Sequence, residues 1–158
     1  CVSMPAFAQQ KMTKGDKNWN ELEKVLWDAE QQWLCYGQYH KAKAQECSDF
    51  RLQFKAEQFF EIDQAGKIST KAEQAASQAK TNKVRADAPM GVGANPEGFT
   101  LMAVYGDVAL ATDHSTYKAI DASGKLTVTS VAQVLRVFVK ENGKWRPAGA
   151  ALVPTSSR

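Results

Sequence analysis

The chain has 158 residues, of which 20 are basic and 17 acidic, so its net charge is +3 at pH 7. This length is typical of one domain that buries a core without covalent cross-links. The small positive excess is diluted by acidic neighbours, which excludes the strongly basic stripe of a nucleic-acid-binding protein. We therefore expect no nucleic-acid partner. Because no apolar run is long enough for a membrane-spanning helix, we also expect no membrane span.

The first eight residues differ from the rest of the chain. Residues 1–8 carry no charge and end in Ala-Phe-Ala, with small residues where signal peptidase requires them. We predict that they are the remnant of a secretory signal and that the protein is periplasmic or secreted. A tail of a cytosolic protein, and a lipoprotein with the lipid on Cys1, are the alternatives.

Capping residues and apolar spacing predict the first helices. After a flexible, polar lead-in over residues 9–17, residues 18–21 (Asn-Trp-Asn-Glu) match a capping box. Apolar residues then recur every three or four positions, which predicts a helix to about Tyr36. Gly37 predicts a break or kink, and a second helical stretch follows to about Asp49.

Two cysteines, Cys35 and Cys47, lie inside this domain. On one unbroken helix they would be about 18 Å apart, at about 1.5 Å per residue, which is too far for a disulfide. A bridge therefore requires the chain to fold back near Gly37, and it would suit an oxidising compartment. The sequence leaves a disulfide and two buried free thiols equally open.

The middle of the chain predicts a β-hairpin and a third helix. The second half of residues 54–62 reads as a strand, residues 63–66 as a glycine turn, and residues 67–69 as a short return strand. Residues 70–73 (Thr-Lys-Ala-Glu) form a second capping box, which opens a helix to about Lys80.

The remainder of the chain predicts an antiparallel meander. Residues 83–90 are interpreted as an edge strand, and residues 91–98 as a loop without a phosphate-binding pattern. Further strands are predicted over residues 99–105, 108–118, 126–140 and 144–152. Asn142-Gly143 is a strong hairpin signal, and Pro147 predicts a bulge or an unpaired edge. Helices that precede antiparallel strands indicate an α+β fold.

Several of these passages resemble the nuclear transport factor 2-like superfamily, especially its SnoaL-like (polyketide-cyclase-type) and calcium/calmodulin-kinase association-domain-like bacterial branch. The similar features are the first-helix residues Leu22, Ala29 and Trp33, the strand–turn–cap passage 59–73, the Gly-Asp hairpin 105–109 and the closing hairpin 138–146. The resemblance covers about residues 19–152.

This resemblance implies a cone-shaped, curved antiparallel sheet that the N-terminal helices close around an apolar pocket. We expect one such domain over residues 18–153, followed by a tail, residues 154–158. The resemblance also implies a small apolar ligand and a homodimer formed through the sheet. Fold alone does not decide between binding and catalysis.

No metal site or cofactor is predicted. The chain has only two histidines, His40 and His114, and no cluster of Cys, His and Asp at ligand spacing. Asp113 and His114 are neighbours in a predicted strand, so their side chains point to opposite faces and only one can enter the pocket.

Alternation along the strand after Thr127 separates two faces. One face carries Val131, Gln133, Leu135, Val137 and Val139, and because it has fewer charges we place it toward the helices and the pocket. Gln133 would then supply a polar group in an apolar wall. With the opposite orientation Arg136 enters the pocket, and an anionic ligand becomes favoured.

The predicted ligand contacts are Trp33, Tyr39, Phe59, Gln133 and Leu135. For catalysis, Tyr36 would act as the donor and Asp113 or His114 as the base, in an arrangement that resembles ketosteroid-isomerase relatives. Relatives often carry a pocket-facing His in the last strand, whereas residues 148–152 here contain no group that can move a proton.

We therefore expect an exported small-ligand-binding or interaction module with an apolar pocket and no established catalysis. The alternative is a small isomerase- or dehydratase-type enzyme that uses a Tyr donor and an Asp or His base. A purely structural assembly domain with a filled pocket is the third hypothesis.

Overall fold

The computed structural model describes residues 11–12, 14–39, 41, 43–85, 93–120 and 126–155. The predictions for residues 1–8 with Cys1, for His40 and for the turn at residues 121–124 concern parts of the chain outside these ranges.

Within the described ranges, three α-helices precede the long strands. They are α1 (Trp19–Leu34), α2 (Ala44–Phe54) and α3 (Lys71–Arg85), and a short 3₁₀ helix, Gly37–Tyr39, lies between the first two. The predicted helices are thus present, although α2 runs past Asp49. The strand predicted over residues 83–90 is wrong at its start, because no helix breaker stands before Arg85 and α3 continues to it.

One curved, unclosed sheet of seven strands forms the other layer. The strands are β1 (Lys11–Met12), β2 (Phe60–Ile62), β3 (Ile68–Thr70), β4 (Gly93–Tyr105), β5 (Val108–Ile120), β6 (Leu126–Glu141) and β7 (Lys144–Pro154). Their order across the sheet is β1-β4-β5-β6-β7-β2-β3. Helix α1 packs against β4 and β7.

The predicted α+β class is confirmed, with one pairing that the sequence does not predict. β2 runs parallel to β7, with Phe60 opposite Gly149, so the sheet is mixed rather than wholly antiparallel. The other pairings among the described strands are antiparallel. Part of the predicted lead-in, Lys11–Met12, pairs with β4.

The chain reverses directly after α1. Cys35 caps the helix in the left-handed conformation (φ 52°), and Gly37 also has a positive φ. This fold-back brings the Cα atoms of Cys35 and Cys47 to 5.9 Å, and the two residues form a disulfide. The bridge ties the end of α1 to α2.

The two predicted capping boxes have different outcomes. Asn18 makes no side-chain capping hydrogen bond at the start of α1, so the first capping box is wrong. At α3 the box is formed. The Thr70 N–H donates to Glu73 Oε2 (2.8 Å), and the Glu73 N–H donates to Thr70 Oγ1 (3.3 Å).

The predicted turns between the long strands are confirmed where the structure describes them. Asn142 and Gly143 both have positive φ, as a tight hairpin turn requires. The β6–β7 register shifts between Val137 and Phe138, opposite Pro147 and Gly149, which is the predicted irregularity at the proline.

The face assignment for β6 is wrong. Val134, Arg136 and Phe138 are buried beneath the helices, whereas Leu135 is 45% exposed on the other face. The assignment assumed that the face with more charges is exposed. Arg136 is buried nevertheless, because carboxylates on other elements neutralise its charge. The interior face of the sheet therefore carries a charge, and the outward face carries Gln133 and Leu135.

Candidate functional site

A buried charged cluster lies between α1 and the interior face of the sheet. Arg136 on β6 places its Nε 2.7 Å from Asp113 Oδ2 on β5, and its Nη2 2.8 Å from Glu30 Oε1 on α1. All three side chains are almost completely buried. Burial of charge is costly unless it is paired, and here two carboxylates surround one guanidinium.

Ser115 and Trp33 complete this cluster. The Ser115 hydroxyl donates to Asp113 Oδ1 (2.7 Å) and accepts from Arg136 Nη2 (3.2 Å). The guanidinium carbon of Arg136 lies 5.0 Å from the centre of the Trp33 ring, within cation–π distance. Trp33 also packs edge-on against Phe59, with 5.5 Å between the ring centres.

Glu30 is the least satisfied member of the cluster. Its contact with Arg136 is an ion pair without hydrogen-bond geometry, and its Oε2 has no hydrogen-bond partner among the described residues. Burial raises the pKa of Glu30 to about 7, Arg136 opposes this shift, and Asp113 reinforces it. Desolvation of the charged form thus outweighs the attraction of the guanidinium. The Trp33 Nε1–H is also buried, and no described residue accepts a hydrogen bond from it.

A cleft of about 480 Å³ lies between α1, the end of α2 and the β6–β7 hairpin. Its lining combines the apolar side chains Val25, Ala29, Phe54 and Trp145 with the polar side chains Asp28, Gln32, Lys144 and Arg146. The Tyr39 hydroxyl donates to Asp28 Oδ1 (2.6 Å), and Gln32 Nε2 donates to Asp28 Oδ2 (2.7 Å). The Asp28 carboxylate is therefore held in place, and its bond from Tyr39 is the main reason why the pKa of Tyr39 is raised.

A smaller cavity of about 210 Å³ lies between α2, α3 and β2. Lys55, the residue after α2, lines it together with Arg51, Glu61 and Gln74. Burial lowers the pKa of Lys55 to about 8, and the positive charge of Arg51 acts in the same direction.

The predicted catalytic residues are not brought together by any described contact. Asp113 is buried and held by Arg136 and Ser115, whereas the neighbouring His114 is exposed on the outward face, as alternation predicted. Tyr36 is half-buried, and no described hydrogen bond joins its side chain to Asp113. The catalytic roles of these residues therefore stay predictions.

The predicted ligand contacts fall in three places. Trp33 and Phe59 pack beside the buried cluster, and Tyr39 supports Asp28 at the cleft. Gln133 and Leu135 lie on the outward face instead of the interior. Gln133 Nε2 there donates to Thr112 Oγ1 and to the Asp113 carbonyl (3.1 Å), which links β6 to β5.

Sequence reasoning missed Glu30, Asp28 and Lys55. Glu30 lies on the predicted apolar stripe of α1, one position after Ala29 and three before Trp33. A carboxylate on that stripe indicates a buried charged group, and the sequence therefore contained a signal for Glu30. Lys55 gives no such signal, because its burial depends on α3, β2 and the ring of Phe59.

Two further features are absent from the described ranges. These ranges contain no group of three or more His, Cys, Asp and Glu side chains that could hold a metal ion. Among the same residues, no helix is both long enough and apolar enough to cross a bilayer.

No family model and no curated protein matches the sequence, whereas solved structures match the fold. An NTF2-like protein with a cystatin-like fold from Novosphingobium aromaticivorans has a TM-score of 0.64 at 15% identity, over 88% of this chain and 85% of that one. A protein from the same organism, assigned as the beta subunit of an aromatic-ring-hydroxylating dioxygenase, has a TM-score of 0.66 at 12% identity, over 88% and 92%.

The association domain of Caenorhabditis elegans CaMKII is also similar, with a TM-score of 0.58 at 11% identity, over 85% of this chain and 93% of that one. At such low identity these likenesses concern the fold alone. They confirm the resemblance predicted from the sequence: the chain has the NTF2-like, cystatin-like fold.

Proposed function

We propose that the chain is an exported small-ligand-binding module whose ligand occupies the cleft between α1, the end of α2 and the β6–β7 hairpin. The main support for this proposal is the cleft itself, because its volume of about 480 Å³ is within the range of small-molecule sites. Its aromatic and aliphatic walls suit a mostly apolar molecule. Asp28, fixed by Tyr39 and Gln32, supplies the polar contact that would orient it.

The binding proposal is tested by filling the cleft. Val25 is 51% exposed on α1 and lines the cleft, so Val25→Trp adds bulk there without disturbing the core. Lys24→Trp is the matched control, because Lys24 is exposed on the same helix and does not line the cleft. The probe is the uncharged dye N-phenyl-1-naphthylamine, followed by its fluorescence.

We expect saturable dye binding by the natural chain and by Lys24→Trp, and loss of binding by Val25→Trp. Equal binding by both variants, or none by the natural chain, would refute the cleft as the site. Native mass spectrometry of protein purified from its own host should then show a retained small molecule, which the Val25→Trp variant lacks.

Export is supported by the disulfide between Cys35 and Cys47, since such bonds persist mainly in oxidising compartments. It is tested by alkylating free thiols in intact cells before extraction. Export predicts that both cysteines escape alkylation until a reductant is added, whereas alkylation of both without reductant would count against it.

We further propose that the module is a homodimer formed through the outward face of the sheet. Met102, Leu135 and Val153 are 58%, 45% and 60% exposed on this face, so it presents apolar surface across three strands. Sedimentation equilibrium should give a dimer, and Leu135→Lys should give a monomer. Ile68→Lys, at an exposed site on edge strand β3, is the control expected to stay dimeric. A natural chain that sediments as a monomer would refute this arrangement.

One observation favours a second candidate function, an isomerase- or dehydratase-type enzyme. The carboxyl of Glu30, whose pKa burial raises to about 7 and whose Oε2 has no hydrogen-bond partner among the described residues, is suited to accept and return a proton at neutral pH. Deuterium exchange into small cyclic ketones, followed by NMR, would reveal such proton abstraction. The enzyme hypothesis requires exchange that Glu30→Gln abolishes.

A further inference from the structure

Lys55 is a buried lysine without a carboxylate partner. Only 5% of it is exposed, and in the described part of the chain no carboxylate forms an ion pair with its Nζ. Its described partners are the Gln74 Oε1 atom and the ring of Phe59, whose centre lies 4.2 Å from Nζ. The charge of Glu61, in the same cavity, acts on Lys55 without an ion-pair contact between the described residues, so this buried ammonium has no carboxylate in direct contact.

The surroundings of Lys55 hold it at the wall of the small cavity. Gln74 Nε2 donates to Ser69 Oγ (2.9 Å), which leaves the Gln74 oxygen turned toward Lys55. The Lys71 ammonium donates to the Lys55 carbonyl (3.1 Å), so the backbone at this position is also fixed. The site is therefore formed before any ligand arrives, which lowers the cost of binding.

The charge around the cavity is positive. Among the described lining residues Lys55 and Arg51 face it with one carboxylate, Glu61, whereas Lys71 lies outside the lining and is paired with Glu57 (3.4 Å). Ser48 contributes a hydroxyl to the same wall, whereas the Gln78 amide there donates to Asp49 Oδ1 (2.7 Å). The Lys55 ammonium, the Arg51 guanidinium and the Ser48 hydroxyl are hydrogen-bond donors of the kind that recognise carboxylate or phosphate oxygens.

We propose that this cavity binds a compact oxyanion, a short carboxylate or a phosphate, which forms an ion pair with Lys55. The volume of about 210 Å³ equals that of roughly seven water molecules, at about 30 Å³ each, so it admits a phosphate or a short dicarboxylate. The cavity is separate from the cleft lined by Val25 and Trp145, and the two proposals can fail independently.

The site is tested by calorimetric titration of the whole protein with inorganic phosphate and, in a separate arm, with succinate. We expect saturable binding in one or both arms, which also identifies the favoured anion. Lys55→Met should weaken the binding by roughly 30-fold or more, because it removes one partner of a buried ion pair. Lys80→Met removes the same charge from an exposed site on α3 that does not line the cavity, and should change little.

Binding should also depend on pH. Succinate remains fully ionised over the alkaline range, so its affinity reports the protein. As the pH rises above about 8, the free Lys55 amine loses its proton, and the Kd of succinate should rise about tenfold for each further pH unit. The charged groups near Lys55 are Arg51 on α2, Lys71 on α3 and Glu61 on β2.

An NMR titration of 13Cε-labelled lysine in the natural chain provides a test that needs no variant. A bound anion favours the charged amine, so saturating succinate or phosphate should raise the pKa of one lysine from about 8. The proposal is overturned if neither anion binds saturably, if Lys55→Met and Lys80→Met bind alike, or if neither anion moves that lysine signal.

Discussion

Replacement of Glu30 by Gln should make the folded protein more stable at neutral pH. Gln keeps the size of the side chain and an acceptor oxygen for Arg136, but it cannot carry a negative charge. In the natural chain Glu30 must either carry a charge in a fully buried site or keep its proton at a pH above its ordinary pKa, and both alternatives cost free energy at neutral pH. The substitution removes this conflict and leaves the Arg136–Asp113 pair intact.

The magnitude follows from the raised pKa. The folded chain holds the Glu30 proton to about pH 7, against 4.5 for an ordinary glutamate. At about 1.4 kcal/mol for each tenfold change in proton affinity, this corresponds to about 3 kcal/mol. Because the folded-state pKa is the higher one, this contribution to stability is complete below pH 4.5 and is lost as pH rises through 7.

The assay is urea unfolding of the natural chain and of Glu30→Gln from about pH 4 to about pH 8. The two proteins should differ little below pH 4.5, and the variant should be more stable by about 3 kcal/mol above pH 7. Other titrating groups are shared, so they cancel in the difference. Glu21→Gln, at an exposed carboxylate in the first turn of α1, is the control expected to show no such trend.

Two results would refute this reasoning. If the difference in free energy of unfolding between Glu30→Gln and the natural chain is the same at every pH tested, the pKa of Glu30 is not raised in the folded protein. A variant that becomes less stable than the natural chain as pH rises would mean that Glu30 is charged and stabilised by Arg136. Attraction to the guanidinium would then outweigh burial.

Three further predictions concern contacts that the structure fixes. Asp113→Ala should cost about 3–5 kcal/mol in urea unfolding, because it removes a buried partner of Arg136; a loss below about 1 kcal/mol would contradict a paired cluster. Replacing Cys35 and Cys47 by Ser should cost about 3 kcal/mol, and reductant should lower the Tm of the natural chain only. Thr70→Ala should cost about 1 kcal/mol through the lost cap, whereas no change would contradict the capping box.

Features that depend on a few neighbouring residues could be predicted from the sequence. The turn at Asn142-Gly143 needs two residues with positive φ, and the cap at Thr70 needs only Glu73 three positions later. The predicted bounds of β5, β6 and β7 lie within two residues of the observed ones, because turn residues separate these strands in the sequence. The capping box at Asn18 failed although its pattern is the same, because a matching sequence permits the bond without requiring it.

Features that depend on distant partners could not be predicted. The parallel pairing of β2 with β7 joins segments about ninety residues apart, and nothing in Phe60–Ile62 specifies it. The close fit there is visible only in three dimensions: a Cβ at Gly149 would lie 2.9 Å from the Phe60 ring, so only glycine allows the ring to lie across β7. The sequence likewise leaves the state of Cys35 and Cys47 undecided, because the two residues come together only through the fold-back after α1.

The orientation of β6 shows why the interior site was missed. Alternation along a strand defines two faces, but it does not say which one is buried when both carry apolar residues. The face with Arg136 is buried because its charge is matched from α1 and β5, by Glu30 and Asp113. That match is a property of three elements together, so a count of charges on β6 alone points the wrong way.

The same three elements explain why Glu30 should hold a proton. Asp113 accepts a hydrogen bond of 2.7 Å from Arg136 Nε and another of 2.7 Å from the Ser115 hydroxyl. Glu30 has a single contact with Arg136, and its second oxygen has no described partner. One guanidinium neutralises one buried carboxylate, and the carboxylate with fewer hydrogen bonds is the one that must be neutralised by a proton.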